Sequence, residues 1–207
     1  MTAQAPVASS PSPIRTRPLG GSGVDVTALG FGGAPLGDLY APLDDAAAIA
    51  TVESALDAGI ALVDTSPLYG RGLAEHRMGT ALRRRPRSSF VLSTNVGRLY
   101  SPAPRGVLCT EGYSGGLPHE GRFDYSYDGA MRSLEQSMLR LGVASVDVAL
   151  IHDVDPWTHG DAAADRQRDR RGEPCADAGQ RDVRRLRRQR RTVREAHRGI
   201  ERRDDAV

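Results

Sequence analysis

Residues 60–94 read IALVDTSPLYGRGLAEHRMGTALRRRPRSSFVLST, and the way this stretch divides decides which folds are open to the chain. "IALVDTS" is a nearly continuous apolar run that ends in polar residues. Leu73 to Leu82 then reads as a helix, with Met78 and Leu82 four residues apart on one face. "SFVLST" is a second apolar run closed by hydroxyl residues. Strands that are apolar at successive positions are buried on both faces, as in a parallel sheet whose crossover helices cover it.

The same rhythm continues on both sides. Upstream, "VTALGFGGAPLG" reads as a strand opening into a Gly-rich turn. Asp44 and Asp45 can cap a helix in which Ile49, Val52, Ala55 and Leu56 share a face before Gly59 stops it. Downstream, Ser126 to Leu141 is a helix with Met131, Leu134, Met138 and Leu141 in one stripe and Gly142 as terminator. "VDVALIH" follows as a fourth strand. Strand and helix in alternation predict a parallel α/β fold, and both a doubly wound sheet and a (β/α) barrel satisfy the pattern. "GFGGAP" does not make a dinucleotide fingerprint, because proline stands where the third glycine belongs and no helix opens there. The Gly- and Pro-rich segment from Arg98 to Arg122 is long for a strand-to-helix connection, which suits a functional lid or a surface insertion.

The 207 residues hold 28 basic and 26 acidic side chains, and every basic one is arginine. The net charge of +2 conceals a division, since 15 of the arginines lie between Asp161 and Val207. In that tail Val183, Leu186, Val193, Ile200 and Val207 are the large aliphatic residues, too few to supply further barrel strands. Three segments result: an N-terminal arm over 1–16, rich in Pro, Ser and Ala and read as disordered, a barrel-like region over 17–160, and a disordered or helical Arg-rich tail over 161–207. The abrupt change at Gly160 suggests that the tail is translated out of frame. The thin aliphatic stripe among its arginines also admits a basic helix that contacts nucleic-acid phosphates, although interspersed acids and the lack of aromatic residues weigh against this.

Cys109 and Cys175 form neither a disulfide framework nor a metal pattern, so no metal site is expected and a reducing, cytoplasmic setting is the default. No stretch approaches the roughly 18 apolar residues of a membrane span.

Polar residues collect where the predicted strands end: Asp64 and Tyr69 after the second, Asn95 after the third, His152 after the fourth. In a (β/α) barrel these ends converge on one mouth, where active sites are built. Taken singly, each residue could equally satisfy nearby backbone or pack in the core.

The stretches "RPLGGSGVDVTALGFGGAPLG", "AGIALVDTSPLYGRGLAEHRMGTAL", "FVLSTNVGR" and "SLEQSMLRLGVASVDVALIHDVDPWTHG" resemble the aldo-keto reductases, in the order and spacing that family uses. The wording is most similar to the bacterial aldose (fucose-type) and pyridoxal dehydrogenase branch. The resemblance implies an incomplete (β/α)8 TIM barrel of about the first four βα units. It also implies hydride transfer between NAD or NADP and an aldehyde, aldose or alcohol, with a small carbonyl or aldose as the partner molecule. It places Asp64, Tyr69 and His152 on the family's aspartate, proton-transferring tyrosine and substrate-orienting histidine, and Asn95 on its lysine. Gly32 and Gly33, with Asp64, resemble positions at the nicotinamide end of the cofactor. A neutral residue at 95 and a half-length barrel imply impaired activity, an inactive fragment as the alternative, and self-association through open barrel edges.

Overall fold

The structure, a computed structural model, describes residues 13–105 and 112–153. The readings made on residues 1–12 and on the Arg-rich tail after Gly160 lie outside the described residues.

Among the described residues, eight strands and three α-helices follow in chain order. They are β1 (Thr16–Pro18), β2 (Asp25–Thr27), β3 (Gly30–Gly32), α1 (Asp45–Asp57), β4 (Leu62–Asp64), α2 (Leu73–Leu82), β5 (Val91–Val96), β6 (Arg98–Pro102), β7 (His119–Phe123), α3 (Tyr127–Leu141) and β8 (Val148–Ile151). Four of the strands make one parallel sheet in the order β3-β4-β5-β8. A doubly wound sheet reverses direction partway across, whereas a barrel adds each strand beside the last. The sequential order therefore selects the barrel, of which the described residues form part.

The helices are set by local chemistry. Asp44 accepts from the Ala47 N–H at 3.0 Å and Ser126 from the Gly129 N–H at 3.0 Å, each satisfying a donor in the first helical turn. Gly142 closes α3 in the left-handed conformation, φ 65°. Ala48 and Val52 of α1, Met78 and Leu82 of α2 and Leu134 and Leu141 of α3 then bury against Val63 and Leu92 of the sheet. Within β5, Thr94 donates to the buried carboxylate of Glu75 on α2, so Thr94 faces the helices. Side chains alternate along a strand. Asn95 therefore faces the barrel interior, the face on which its register partner Leu150 is 48% exposed.

Two features differ from the sequence reading. The predicted first strand is divided: β2 pairs antiparallel with β1, and only β3 joins the sheet. Thr27 causes the break, because its hydroxyl donates to the Leu29 carbonyl at 2.7 Å and accepts from the N–H groups of Ala61 and Leu62. The segment expected as one long loop contains an antiparallel ribbon, β6 with β7, from Arg98↔Phe123 to Pro102↔His119. Gly97, at φ 105°, turns the chain out of β5 into this ribbon, and its carbonyl accepts from Asp124 N–H at 3.0 Å.

A Cβ on Gly97 would collide with the ring of Tyr125, whose hydroxyl is bonded to the His152 carbonyl at 2.7 Å. Gly97→Ala is expected to cost about 1–3 kcal/mol from overpacking, with backbone strain in addition. Urea unfolding checks this, and an unshifted midpoint would show that the Tyr125 ring yields freely.

Candidate active site

The C-terminal ends of β3, β4, β5 and β8 bring the candidate residues to one mouth. Gly32, Asp64 and Ser93 stand side by side in register. Asp64 is half-buried and its pKa is pushed up by burial, with a hydrogen bond to Ser93 opposing the shift. Among the described residues Asp64 makes no ion pair.

After Asp64 the chain turns tightly. Ser66 accepts from the Leu68 N–H through its hydroxyl at 3.2 Å and from the Tyr69 N–H through its carbonyl at 3.1 Å. The turn is held from two sides. Gly37 lies against the backbone of Tyr69 and Gly70 so closely that a Cβ there would overlap the Tyr69 carbonyl carbon. Arg71, buried and left-handed at φ 55°, donates to the carbonyls of Leu117 at 2.7 Å and Gly115 at 2.9 Å. This ties the turn to the loop between β6 and β7, which sets Tyr113 against Tyr69 with ring centroids 6.5 Å apart.

His152 follows β8. Its N–H donates to the Val96 carbonyl at 3.1 Å, and its Nδ1 lies 3.1 Å from the Ser66 hydroxyl. The ring meets Tyr69 edge-on, with centroids 6.0 Å apart. Burial lowers the His152 pKa, Asp153 opposes this and Arg98 adds to it. Asp153 is paired with Arg98 at 2.8 Å. The Tyr69 phenol is pushed above its ordinary value by burial first, then by the charges of Asp64 and Asp153.

Asn95 is buried, and its Nδ2 donates to the Thr65 carbonyl at 2.9 Å, a tie between neighbouring strands. Of the two glycines, Gly32 is exposed and a Cβ on it would meet nothing within 4 Å. Gly33 is packed: its N–H donates to the Asp64 carbonyl at 2.8 Å, and a Cβ would stand 2.9 Å from Met78 Cε. Among the described residues no group of three or more His, Cys, Asp or Glu could hold a metal ion. No helix among them is long and apolar enough to cross a membrane.

Sequence reasoning missed Ser66, Tyr113, Tyr125 and Asp153. Ser66 and Asp153 sit inside the motifs "DTSPLYG" and "IHDVD", where a local signal existed. Tyr113 and Tyr125 reach the site only through the ribbon.

The electrostatics of Asp64 give a direct test. Burial raises its folded-state pKa above the ordinary 3.8, so its charge destabilises the fold at neutral pH. That penalty is absent at low pH, where folded and unfolded states are both protonated. It grows as pH rises through 3.8 and is complete above the raised folded value. Asp64→Asn is expected to raise the unfolding midpoint at neutral pH, with the gain shrinking on acidification. A gain independent of pH would trace to packing instead.

A partial parallel barrel with its polar cluster at the C-terminal mouth defines an α/β-barrel protein. The sequence profile of the Aldo/keto reductase family matches residues 28–195, and the chain belongs to that family, whose members are nicotinamide-dependent oxidoreductases. Pyridoxal 4-dehydrogenase of Microbacterium luteolum is 45% identical over 154 residues, which cover 70% of this chain and 45% of that protein. D-threo-aldose 1-dehydrogenase of Pseudomonas sp is 38% identical over 142 residues, 64% of this chain and 41% of that protein. The chain thus spans less than half the length of these relatives. Among solved structures, an aldo-keto reductase from Bacillus halodurans in its holo form aligns with a TM-score of 0.53 and 27% identity, covering 77% of this chain and 47% of that one.

Proposed function

We propose that the mouth built by Asp64, Tyr69, Asn95 and His152 serves hydride transfer between a nicotinamide cofactor and an aldehyde, aldose or alcohol, with activity impaired in this chain. The observation that carries this reading is the edge-on approach of Tyr69 and His152, 6.0 Å apart, above the strand that ends in Asp64.

The residues present fit the nicotinamide end of the cofactor. At Gly32 the backbone is open where a Cβ would meet nothing, so a flat ring can approach it beside Asp64, and Gly33 holds the turn beneath. Gly32, Gly33 and Asp64 would hold that end. When bound, the cofactor supplies or accepts the hydride. Tyr69 gives or takes the proton at the substrate oxygen, and His152 orients that oxygen.

A phenol with its ordinary pKa of about 10 exchanges a proton poorly at neutral pH, and a nearby cation improves it by lowering that pKa. The charges acting on Tyr69 are the two carboxylates, which move it the other way. Asn95 is neutral where the family resemblance places a lysine. Slow turnover follows, because residue 95 brings no positive charge to the phenol. NAD and NADP, and aldose and pyridoxal substrates, are separated by the same experiment.

That experiment titrates the chain with NADH and NADPH by nicotinamide fluorescence, then adds pyridoxal or an aldose. Saturable binding, weakened by Gly32→Val, supports the reading. Absence of binding with both cofactors would leave the inactive-fragment reading in its place. Since β3 and β8 end the sheet and Leu150 is exposed among the described residues, self-association at these edges belongs to the same proposal.

A further inference from the structure

We propose that Ser66 is a positioning residue that fixes His152 as the tautomer protonated on Nε2, leaving that N–H directed to the substrate oxygen. The inference rests on the reading of His152 as the substrate-orienting group.

It follows from counting donors and acceptors around one buried hydroxyl. Ser66 is fully buried, and its Oγ already accepts the Leu68 N–H at 3.2 Å. The other polar neighbour of that hydroxyl among the described residues is His152 Nδ1, at 3.1 Å. If Nδ1 carried the proton, it would donate to Oγ, and the serine hydrogen would be left buried without an acceptor. A stranded donor costs more than an ordinary hydrogen bond gains. With Nδ1 bare, the serine donates to it and every group is satisfied, which leaves the proton on Nε2.

Nε2 is then the end of the ring that makes no hydrogen bond among the described residues. Asp153 Oδ1 stands 3.5 Å from it, too far for a strong hydrogen bond, and is itself engaged by Arg98 through its other oxygen. The backbone of His152 is pinned at both ends, by Val96 through its N–H and by Tyr125 through its carbonyl. Ring position and proton position are thus set by different neighbours, and Ser66 acts on the second. This gives the serine of "DTSPLYG" a role distinct from the turn it helps to form.

Long-range proton–nitrogen correlation on the isotope-labelled full chain reads the tautomer directly, with the His152 signals assigned by their loss in His152→Gln. At a pH where the ring is neutral, the Nε2–H form is expected to dominate. In Ser66→Ala the ratio of Nε2–H to Nδ1–H should fall about fivefold, the factor that one ordinary hydrogen bond is worth. Ser66→Thr, which keeps the hydroxyl, should restore it.

A wild-type ring carrying its proton on Nδ1 would overturn the proposal, and this measurement needs no variant to fold. An unchanged ratio in Ser66→Ala would also overturn it and assign the tautomer to Asp153. The orienting role fails separately: aldehyde binding unaltered by His152→Gln would remove that role while leaving the tautomer result intact.

Discussion

Replacing Asn95 with lysine is expected to bring the Tyr69 phenol down in pKa and, in a full-length family barrel that carries this region, to raise turnover by roughly 10²- to 10⁴-fold. The phenol is held high by burial and by the carboxylates of Asp64 and Asp153. A lysine on the interior face of β5 would put an ammonium beside Asp64, which has no ion-pair partner among the described residues. Opposite charge favours the ionised forms of both carboxylate and phenol. The lost hydrogen bond from Asn95 to the Thr65 carbonyl costs about 0.5–1.5 kcal/mol, which the new ion pair offsets in part. Ultraviolet titration of the chain, with Tyr69→Phe subtracted, isolates this phenol. A Tyr69 titration that does not move would show that residue 95 is too far from the phenol to control it.

The largest effect on stability is expected at Arg77. Its guanidinium is buried on α2 and donates to four acceptors: Asp38 Oδ1 and the Leu36 carbonyl, both at 2.7 Å, Asp45 Oδ1 at 2.7 Å and the Leu43 carbonyl at 2.6 Å. With Asp38 also buried, Arg77→Leu strands a carboxylate and two carbonyls, for which about 3–5 kcal/mol is the usual cost. Lysine should recover only a fraction, because one ammonium cannot reproduce the planar fork that meets these acceptors. Adding Asp38→Asn to Arg77→Leu should return part of the loss by removing the stranded charge. Denaturant midpoints decide it, and a cost below about 1 kcal/mol for Arg77→Leu would mean that water reaches the network freely. The site depends on the same contacts, since the Leu36–Asp38 turn carries Gly37, which backs Tyr69.

What could be foreseen from the chain varied with the range of the interactions. Helix α2 was legible over Leu73–Leu82, and α1 and α3 to within their caps, because Asp44, Ser126 and Gly142 act within a few residues of themselves. β5 runs further than the reading, through Asn95 and Val96, because β8 lies beside it and bonds to it. The β6–β7 ribbon was hidden for a related reason. "RLYSP" and "HEGRF" have little strand character by themselves, and their pairing depends on a turn at Gly97 and its bond to Asp124.

By itself the sequence determined the alternation of strand and helix, the family, and the strand ends at which Asp64, Tyr69, Asn95 and His152 would lie. The alternation and the strand ends follow from periodicity and caps, and the family from the resemblance of its motifs, all of which are local. Only the tertiary structure decided that the strands add in sequence, that Tyr69 meets His152 edge-on, that Asn95 ties to Thr65, and that Ser66 faces Nδ1. Those contacts join residues dozens of positions apart. Their distances are set by sheet register and by close backbone approach at Gly37 and Gly97, which no local pattern encodes.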